Sequence, residues 1–318
     1  MKRVLVVYFS QTGQLTDVVN AFIAPLRADH RIELVVESLQ PKTAFPFPWP
    51  FWKFFSLFPE SVFMRPIALQ PLQVSDDEDF DLVILAYSVW FLSPSLPIAS
   101  FLQSKSAARL LSDKPVVTLI ACRDMWLTAQ EKVKSLLGSI GAQLLDNVAL
   151  VDKGGSAWSF MSTPLWMFSG KKGPWGRIPR AGIDPLEIAE CSRFGERIAA
   201  QLTRSAEKLS EPMLRGLGAV KIKDKTLASE IMAHRSFRIW SRLLMSLGGP
   251  DSVARRLGLM VYVIFLLLLI LTLVPINALL KKLLAPFSRR RTEQQKYYYA
   301  QPSGESKHLV TAELEQKS

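Results

Sequence analysis

A β-branched run, Val4-Leu5-Val6-Val7, passes within three residues into a polar loop and from there into a helix; the whole stretch, residues 3–16, reads R-V-L-V-V-Y-F-S-Q-T-G-Q-L-T. Four consecutive apolar residues are the pattern of a parallel strand covered on both faces, so this strand belongs at the centre of a sheet. The loop collects hydroxyls (Ser10, Thr12, Thr16), amides (Gln11, Gln14) and Gly13, with Leu15 among them. Val19, Phe22, Ile23 and Leu26 then fall on one face of a helix. A loop of this kind aims backbone N–H groups and hydroxyls at the positive end of the helix, where a phosphate is stabilised without a metal. The same loop also serves simply to turn the chain and cap the helix. No G-x-G-x-x-G follows a strand and no G-x-x-x-x-G-K-[ST] occurs, which argues against a dinucleotide fingerprint and against a nucleoside-triphosphatase.

Further along, the alternation of strand and helix repeats. Arg31–Glu37 reads as a second strand, Leu82–Ala86 as a third, Pro115–Ala121 as a fourth and Ala142–Val151 as a fifth. Together they predict an α/β fold with a doubly wound five-stranded parallel sheet. In such sheets ligands lie outside the carboxyl ends of the strands. The loops at those ends are therefore the candidate site: Ser10–Thr16, Tyr87–Phe91 (Tyr87, Ser88, Val89, Trp90, Phe91) and Cys122–Trp126 (Cys122, Arg123, Asp124, Trp126). Cys122 has no histidine near it in sequence, and Asp124 would not favour a thiolate, so it reads as a wall residue rather than a nucleophile.

The first loop resembles the phosphate loop of the flavodoxin-like family, [ST]-x-T-G-x-T, through Ser10, Thr12 and Gly13; Leu15 stands where the last threonine is usual. The resemblance covers about residues 1–205 and implies the strand order 2-1-3-4-5 and flavin mononucleotide (FMN) as cofactor; polar atoms of the third loop would then suit the pyrimidine edge of the flavin, and Arg123 negative charge on a reduced one. It also makes Trp90 the candidate stacker on the isoalloxazine, the bland alternative being that Trp90 packs the next helix. The S-Q-T-G-Q-L, W-F-L-S-P-S-L-P and C-R-D-M-W loops are similar to a bacterial set labelled dialkylresorcinol condensing enzyme.

Two insertions interrupt the domain, at about 41–75 and 153–183. From Phe45 to Phe63 the first carries nine aromatics interleaved with Pro46, Pro48, Pro50 and Pro59. Prolines at this density forbid a regular helix or central strand in its first half. Its rings either pack over the domain or a partner subunit, or dip into a membrane interface or roof an apolar substrate. The second is rich in Gly, Ser, Trp and Met and reads as a lid. After it, Asp184-Pro185-x-Glu187 is a helix start, and Phe194, Ile198 and Leu202 would pack the last helix on the sheet.

Charge is uneven over the 318 residues. Residues 1–203 hold 20 Lys and Arg against 19 Asp and Glu, residues 204–256 hold 11 against 5, and residues 281–318 hold 8 against 4. Between the basic stretches, Leu257–Leu280 carries no charge, and 24 residues of helix span roughly 36 Å, enough for an apolar layer of about 30 Å. The expected organisation is a basic helical connector at 206–256, a transmembrane helix at 257–280, and a basic disordered tail at 281–318. The flavodoxin-like domain is expected on the cytoplasmic side of a single-pass membrane protein, in keeping with two cysteines and no CxxC. A buried soluble helix, or a segment that bends at Pro275 and returns, is the alternative. Expected partners are acidic lipid headgroups and an apolar small-molecule acceptor, with a homodimer allowed; nucleic acid is not expected, nor is a metal, because His30, His234 and His308 lack ligand spacing.

Two functions fit these residues. One is an FMN-dependent oxidoreductase passing electrons or hydride to an apolar acceptor. The other is a flavodoxin-like scaffold with weak or no flavin, an accessory protein in an aryl-lipid biosynthetic assembly.

Overall fold

The computed structural model describes the backbone of residues 1–152, 156–204 and 208–303, and the side chains of these spans apart from 156–160, 224–226, 228, 270, 271 and 273–292. Its centre is a parallel sheet of β1 (Lys2–Tyr8), β2 (Ile32–Ser38), β3 (Leu82–Tyr87), β6 (Pro115–Cys122) and β7 (Gln143–Val151), ordered β2-β1-β3-β6-β7. Counting only the strands of this sheet, the order is 2-1-3-4-5, the doubly wound arrangement expected above. Val4 to Val7 are fully buried, as a central strand covered on both faces requires. The chain order reverses between β1 and β3, which places the switch point at their carboxyl ends.

Helix α1 (Gln14–Ala28) packs against α8 (Pro185–Glu190) and α9 (Ser192–Arg204). Asp184 caps α8 by accepting from the Leu186 N–H at 2.9 Å, and Phe194, Ile198 and Leu202 are buried. The approach of α9 to α1 is close at Gly195, where any Cβ would fall on the Phe22 carbonyl. The opposite face of the sheet carries α4 (Leu96–Leu102), α5 (Lys105–Leu111) and α6 (Leu127–Ile140), as right-handed crossovers on the far side of the switch point demand.

Strand β7 would be an open edge, and the chain covers it. The Ala149 N–H donates to the Ala219 carbonyl at 2.9 Å, and the Asp146 carboxylate accepts from the Met213 N–H at 2.7 Å and the Leu214 N–H at 3.3 Å. At the next residue the Ser303 hydroxyl takes the Asn147 N–H and donates to the Asn147 carbonyl, both at 2.8 Å. Covered in this way, the strand offers no template for pairing with another chain.

The first insertion folds as two short helices, α2 (Phe51–Ser56) and α3 (Phe58–Val62), behind an irregular proline-rich lead. They meet α10 (Asp224–Ser246) and the start of α11 (Val253–Ala300) in a second hydrophobic cluster of Phe58, Val62, Leu244, Leu259, Tyr262 and Val263. Phe58 and Tyr262 stack with ring centroids 4.4 Å apart.

This packing accompanies a correction. Among the described residues no helix is long and apolar enough to cross a membrane, so the transmembrane assignment of 257–280 falls, and with it the single-pass membrane location. Leu259, Tyr262 and Val263 spend one face of the apolar run on Phe58, Val62 and Leu244. Residues on either side of the run also hold the same α/β unit: Arg255 pairs with Glu60 at 2.6 Å, and the Tyr298 hydroxyl donates to Glu131 at 2.9 Å. A single crossing would separate those flanks by an apolar layer of about 30 Å. The side chains of 270, 271 and 273–280 lie outside the described residues. Helix α11 continues to Ala300 where a disordered tail was expected from 281, and 304–318 lie outside the described residues.

Candidate functional site

The three predicted loops come together at the carboxyl edge of β1, β3 and β6. In the first, Gly13 is left-handed (φ 83°), and a Cβ built there meets nothing within 4 Å. Only a glycine holds this turn without strain. The Ser10 hydroxyl accepts from the Thr16 N–H at 3.3 Å, and the Asp17 N–H to Gly13 carbonyl bond of 3.1 Å is the first of the helix. Among the described residues no hydrogen bond uses the N–H groups of Gly13, Gln14 or Leu15, so the positive end of α1 is free to receive an anion. Leu15 is turned into the core at 3% exposure, which removes its side chain from that position.

One glutamine of the loop fastens the first insertion to it, and the other lies beside the second. Gln11 donates from Nε2 to the Pro46 carbonyl at 2.8 Å. The Gln14 amide lies against Gly182, which is left-handed at φ 99° and donates its N–H to Asp152 Oδ2 at 3.0 Å. The insertions also hold each other: the Trp49 N–H donates to the Met167 carbonyl at 2.8 Å, and Phe47 meets Trp166 edge to face. The second insertion, with its helix α7 (Ser156–Ser169), therefore packs on the first; the side chain of Trp158 lies outside the described residues.

The second loop is a two-residue hairpin, β4 (Val89–Trp90) with β5 (Ser93–Pro94), whose turn residues Phe91 and Leu92 are both left-handed, at φ 48° and 59°. Such turns ordinarily take Asn-Gly, because side chains at positive φ are strained. Here burial offsets the strain. Leu92 is buried and Phe91 meets Phe54 at 4.8 Å and Phe58 at 5.3 Å. Trp90 is met by Phe9 at 6.0 Å, Phe45 at 5.1 Å and Trp49 at 6.0 Å, each at a steep angle. It is thus the hub of an aromatic cluster with the first insertion. The Ser88 carbonyl accepts from the Ser95 N–H at 2.9 Å, closing the hairpin base. Tyr87 leaves the group: it is fully buried, its hydroxyl donating to Gln130 Oε1 at 2.6 Å within the core.

In the third loop Cys122 is half-buried and its thiol donates to the Asp124 carbonyl at 3.4 Å. Burial first, then Asp124 and Glu230, hold its pKa well above the ordinary thiol value, which keeps it protonated and suits the wall role. Burial lowers the Arg123 pKa against the pull of Asp124 and Asp152. Asp124 pairs with Lys223 at 3.4 Å, and Trp126 is buried at the start of α6.

One residue at this edge had no signal in the sequence. Glu230 of α10 is 1% exposed, accepts from the Thr128 N–H at 2.6 Å at the start of α6, and leaves Oε2 without a partner. It lines a cavity of about 10 Å³ with Asp124, Trp126 and Lys223, and burial pushes its carboxyl up to about 7. Asp152, which ties the second insertion to the third loop, was missed for the same reason: its partner Gly182 is remote in sequence. A cleft of about 280 Å³ opens at the opposite, amino end of the sheet beside Lys2, Asp81 and Lys114, away from all three loops. No group of metal-binding side chains occurs among the described residues.

No family model and no curated protein matches the chain, so the likeness to the dialkylresorcinol condensing enzyme set has no support. Solved structures similar to it include a flavoprotein in complex with FMN from Lactobacillus acidophilus, at 14% identity over 47% of this chain and 93% of that one, TM-score 0.38. A flavodoxin from the domain Archaea is 12% identical over 63% of this chain and 99% of that one, TM-score 0.36. Flavodoxin 1 from Bacillus cereus is 11% identical over 65% and 100%, TM-score 0.33. The fold assignment rests on the strand order of the sheet itself.

Proposed function

We propose that the chain binds FMN at the carboxyl edge of β1, β3 and β6 and serves electron or hydride transfer to an apolar acceptor. The observation that carries this reading is the open anion site at the switch point: a left-handed Gly13 facing open space, with the N–H groups of Gly13, Gln14 and Leu15 unused among the described residues. Ser10, Thr12 and these N–H groups would hold the phosphate, and the chain fits it there. FMN supplies the redox chemistry when bound, while the protein binds, orients and excludes water. Phe51 and Trp52, at 40% and 52% exposure on the first insertion, offer an apolar approach for the acceptor.

A second reading is favoured by Trp90. Phe9, Phe45 and Trp49 already surround it, so a ring stacked on Trp90 requires Phe45 or Trp49 to move. That geometry suits a scaffold that has kept the fold with weak flavin binding or none. Titrating the purified chain with FMN, followed by flavin fluorescence and visible absorbance, separates the two. Saturable quenching that Thr12→Val weakens supports the flavoprotein; a colourless protein with no titration signal leaves the scaffold.

A further inference from the structure

Helices α6 and α10 run side by side from the contact between Thr128 and Glu230. Four residues further along each stand Lys132 and His234, and Arg238 follows one more turn along α10. Lys132 is fixed from two directions, donating from Nζ to the Val62 carbonyl of α3 at 2.9 Å and to the Ser93 hydroxyl of the hairpin at 2.7 Å. None of the three has a carboxylate within ion-pair reach among the described residues. The nearby acids are turned elsewhere: Glu131 to Lys134 and Tyr298, Glu60 to Arg255, and Glu230 to the start of α6. Burial first and Arg238 second bring Lys132 down to about 8, and burial, then Lys132 and Arg238, bring His234 down to about 4. A half-buried ammonium costs free energy unless an anion or hydrogen bonds compensate it, and two neutral acceptors are all that the described residues supply.

We propose that Lys132, His234 and Arg238 form an oxyanion-binding notch between α6 and α10, taking a phosphate- or carboxylate-bearing ligand, separate from the Ser10–Thr16 loop. The ammonium and guanidinium provide the charge, and the neutral imidazole provides one N–H donor. This inference does not depend on flavin binding.

Calorimetric titration of the full chain with inorganic phosphate, and separately with succinate, at constant ionic strength tests it and tells which oxyanion is preferred. The Thr12→Val protein is used so that phosphate captured by the first loop is weakened. A saturable component is expected for one of the two anions, and adding Arg238→Glu should raise its Kd by about tenfold or more. Lys132→Met should abolish it; if that variant fails to fold, the exposed Arg238 still decides the matter. Absence of any saturable component, or its survival unchanged in Arg238→Glu, overturns the proposal. FMN titration of Arg238→Glu is expected to match that of the unaltered chain, so failure at the notch and failure at the flavin site are read separately.

Discussion

At the first loop the chain leaves the N–H groups of Gly13, Gln14 and Leu15 without a partner among the described residues and turns through a glycine with open space around it. At the second loop it does the reverse, closing Trp90 against Phe9, Phe45 and Trp49 and pressing Phe91 onto Phe54 and Phe58. Both loops leave neighbouring parallel strands at the same edge, so the backbone scaffold does not explain the contrast. The first insertion does. Its prolines keep 45–50 irregular, which lets Phe45 and Trp49 reach across to Trp90, while Gln11 pins its start at Pro46. One end of the edge is thus left open, and the other is filled by the chain's own rings.

The largest expected effect comes from emptying the filled end. Trp49 is 4% exposed and meets Phe45, Phe54 and Trp90, so Trp49→Ala should destabilise the fold by about 3–5 kcal/mol, read as a shift in the denaturant midpoint. If the rings occupy a flavin's place, the same variant binds FMN more tightly under conditions where it is folded. Unchanged affinity would mean that any flavin ring lies away from Trp90.

The third loop belongs to neither extreme, and pH exposes its state. Burial pushes the Glu230 carboxyl up to about 7 from the ordinary 4.5, so the folded state binds the extra proton between those values. Its contribution is fully present below about 4.5 and is lost as the pH rises through 7, a difference of about 3 kcal/mol. Asp146, pushed up to about 6 by burial, acts in the same direction over a lower window. Unfolding free energies measured from pH 5 to 8 should decline more steeply for the unaltered chain than for Glu230→Gln. Parallel profiles would show that Glu230 is not the group responsible.

Thr12→Val reaches the open end directly. It should weaken FMN binding by about 1–3 kcal/mol through an unpaired phosphate oxygen, with little change in the denaturant midpoint, because Thr12 is only partly buried. Equal affinity of the two proteins would place the phosphate elsewhere.

How much of this was legible varies with the range of the interaction. The five strands could be read from β-branched runs such as Val4–Val7, because a central strand must be apolar on both faces, whereas their order came from the resemblance carried by the first loop. Tyr87 was misplaced by one step: β3 runs one residue past Ala86, still in register with Ile120, and the alternation of the strand sends the Tyr87 ring into the core. The apolar run at 257–280 was visible, but hydropathy does not say what covers it. A signal was present in Leu259, Tyr262, Val263 and Leu266, whose spacing puts a tyrosine on the stripe that meets Phe58. Glu230 carried no signal at all, since its partner Thr128 is brought to it only by folding.

The smallest effect is the sharpest probe of the open end. Gly13 sits at φ 83° with nothing within 4 Å of a built Cβ, so Gly13→Ala adds no clash and its cost is backbone strain alone, about 1 kcal/mol. Asparagine tolerates the left-handed region better than alanine, so Gly13→Asn should recover part of that loss in the denaturant midpoint. Ligand binding reads a different quantity, because the new side chain projects into the space where a phosphate would approach the free N–H groups. Both variants should therefore weaken FMN binding, and the larger asparagine should weaken it more even though it strains the fold less. Opposite rankings for stability and affinity mark Gly13 as part of a phosphate site; matching rankings would reduce it to a helix cap, and the open end would then be only a turn.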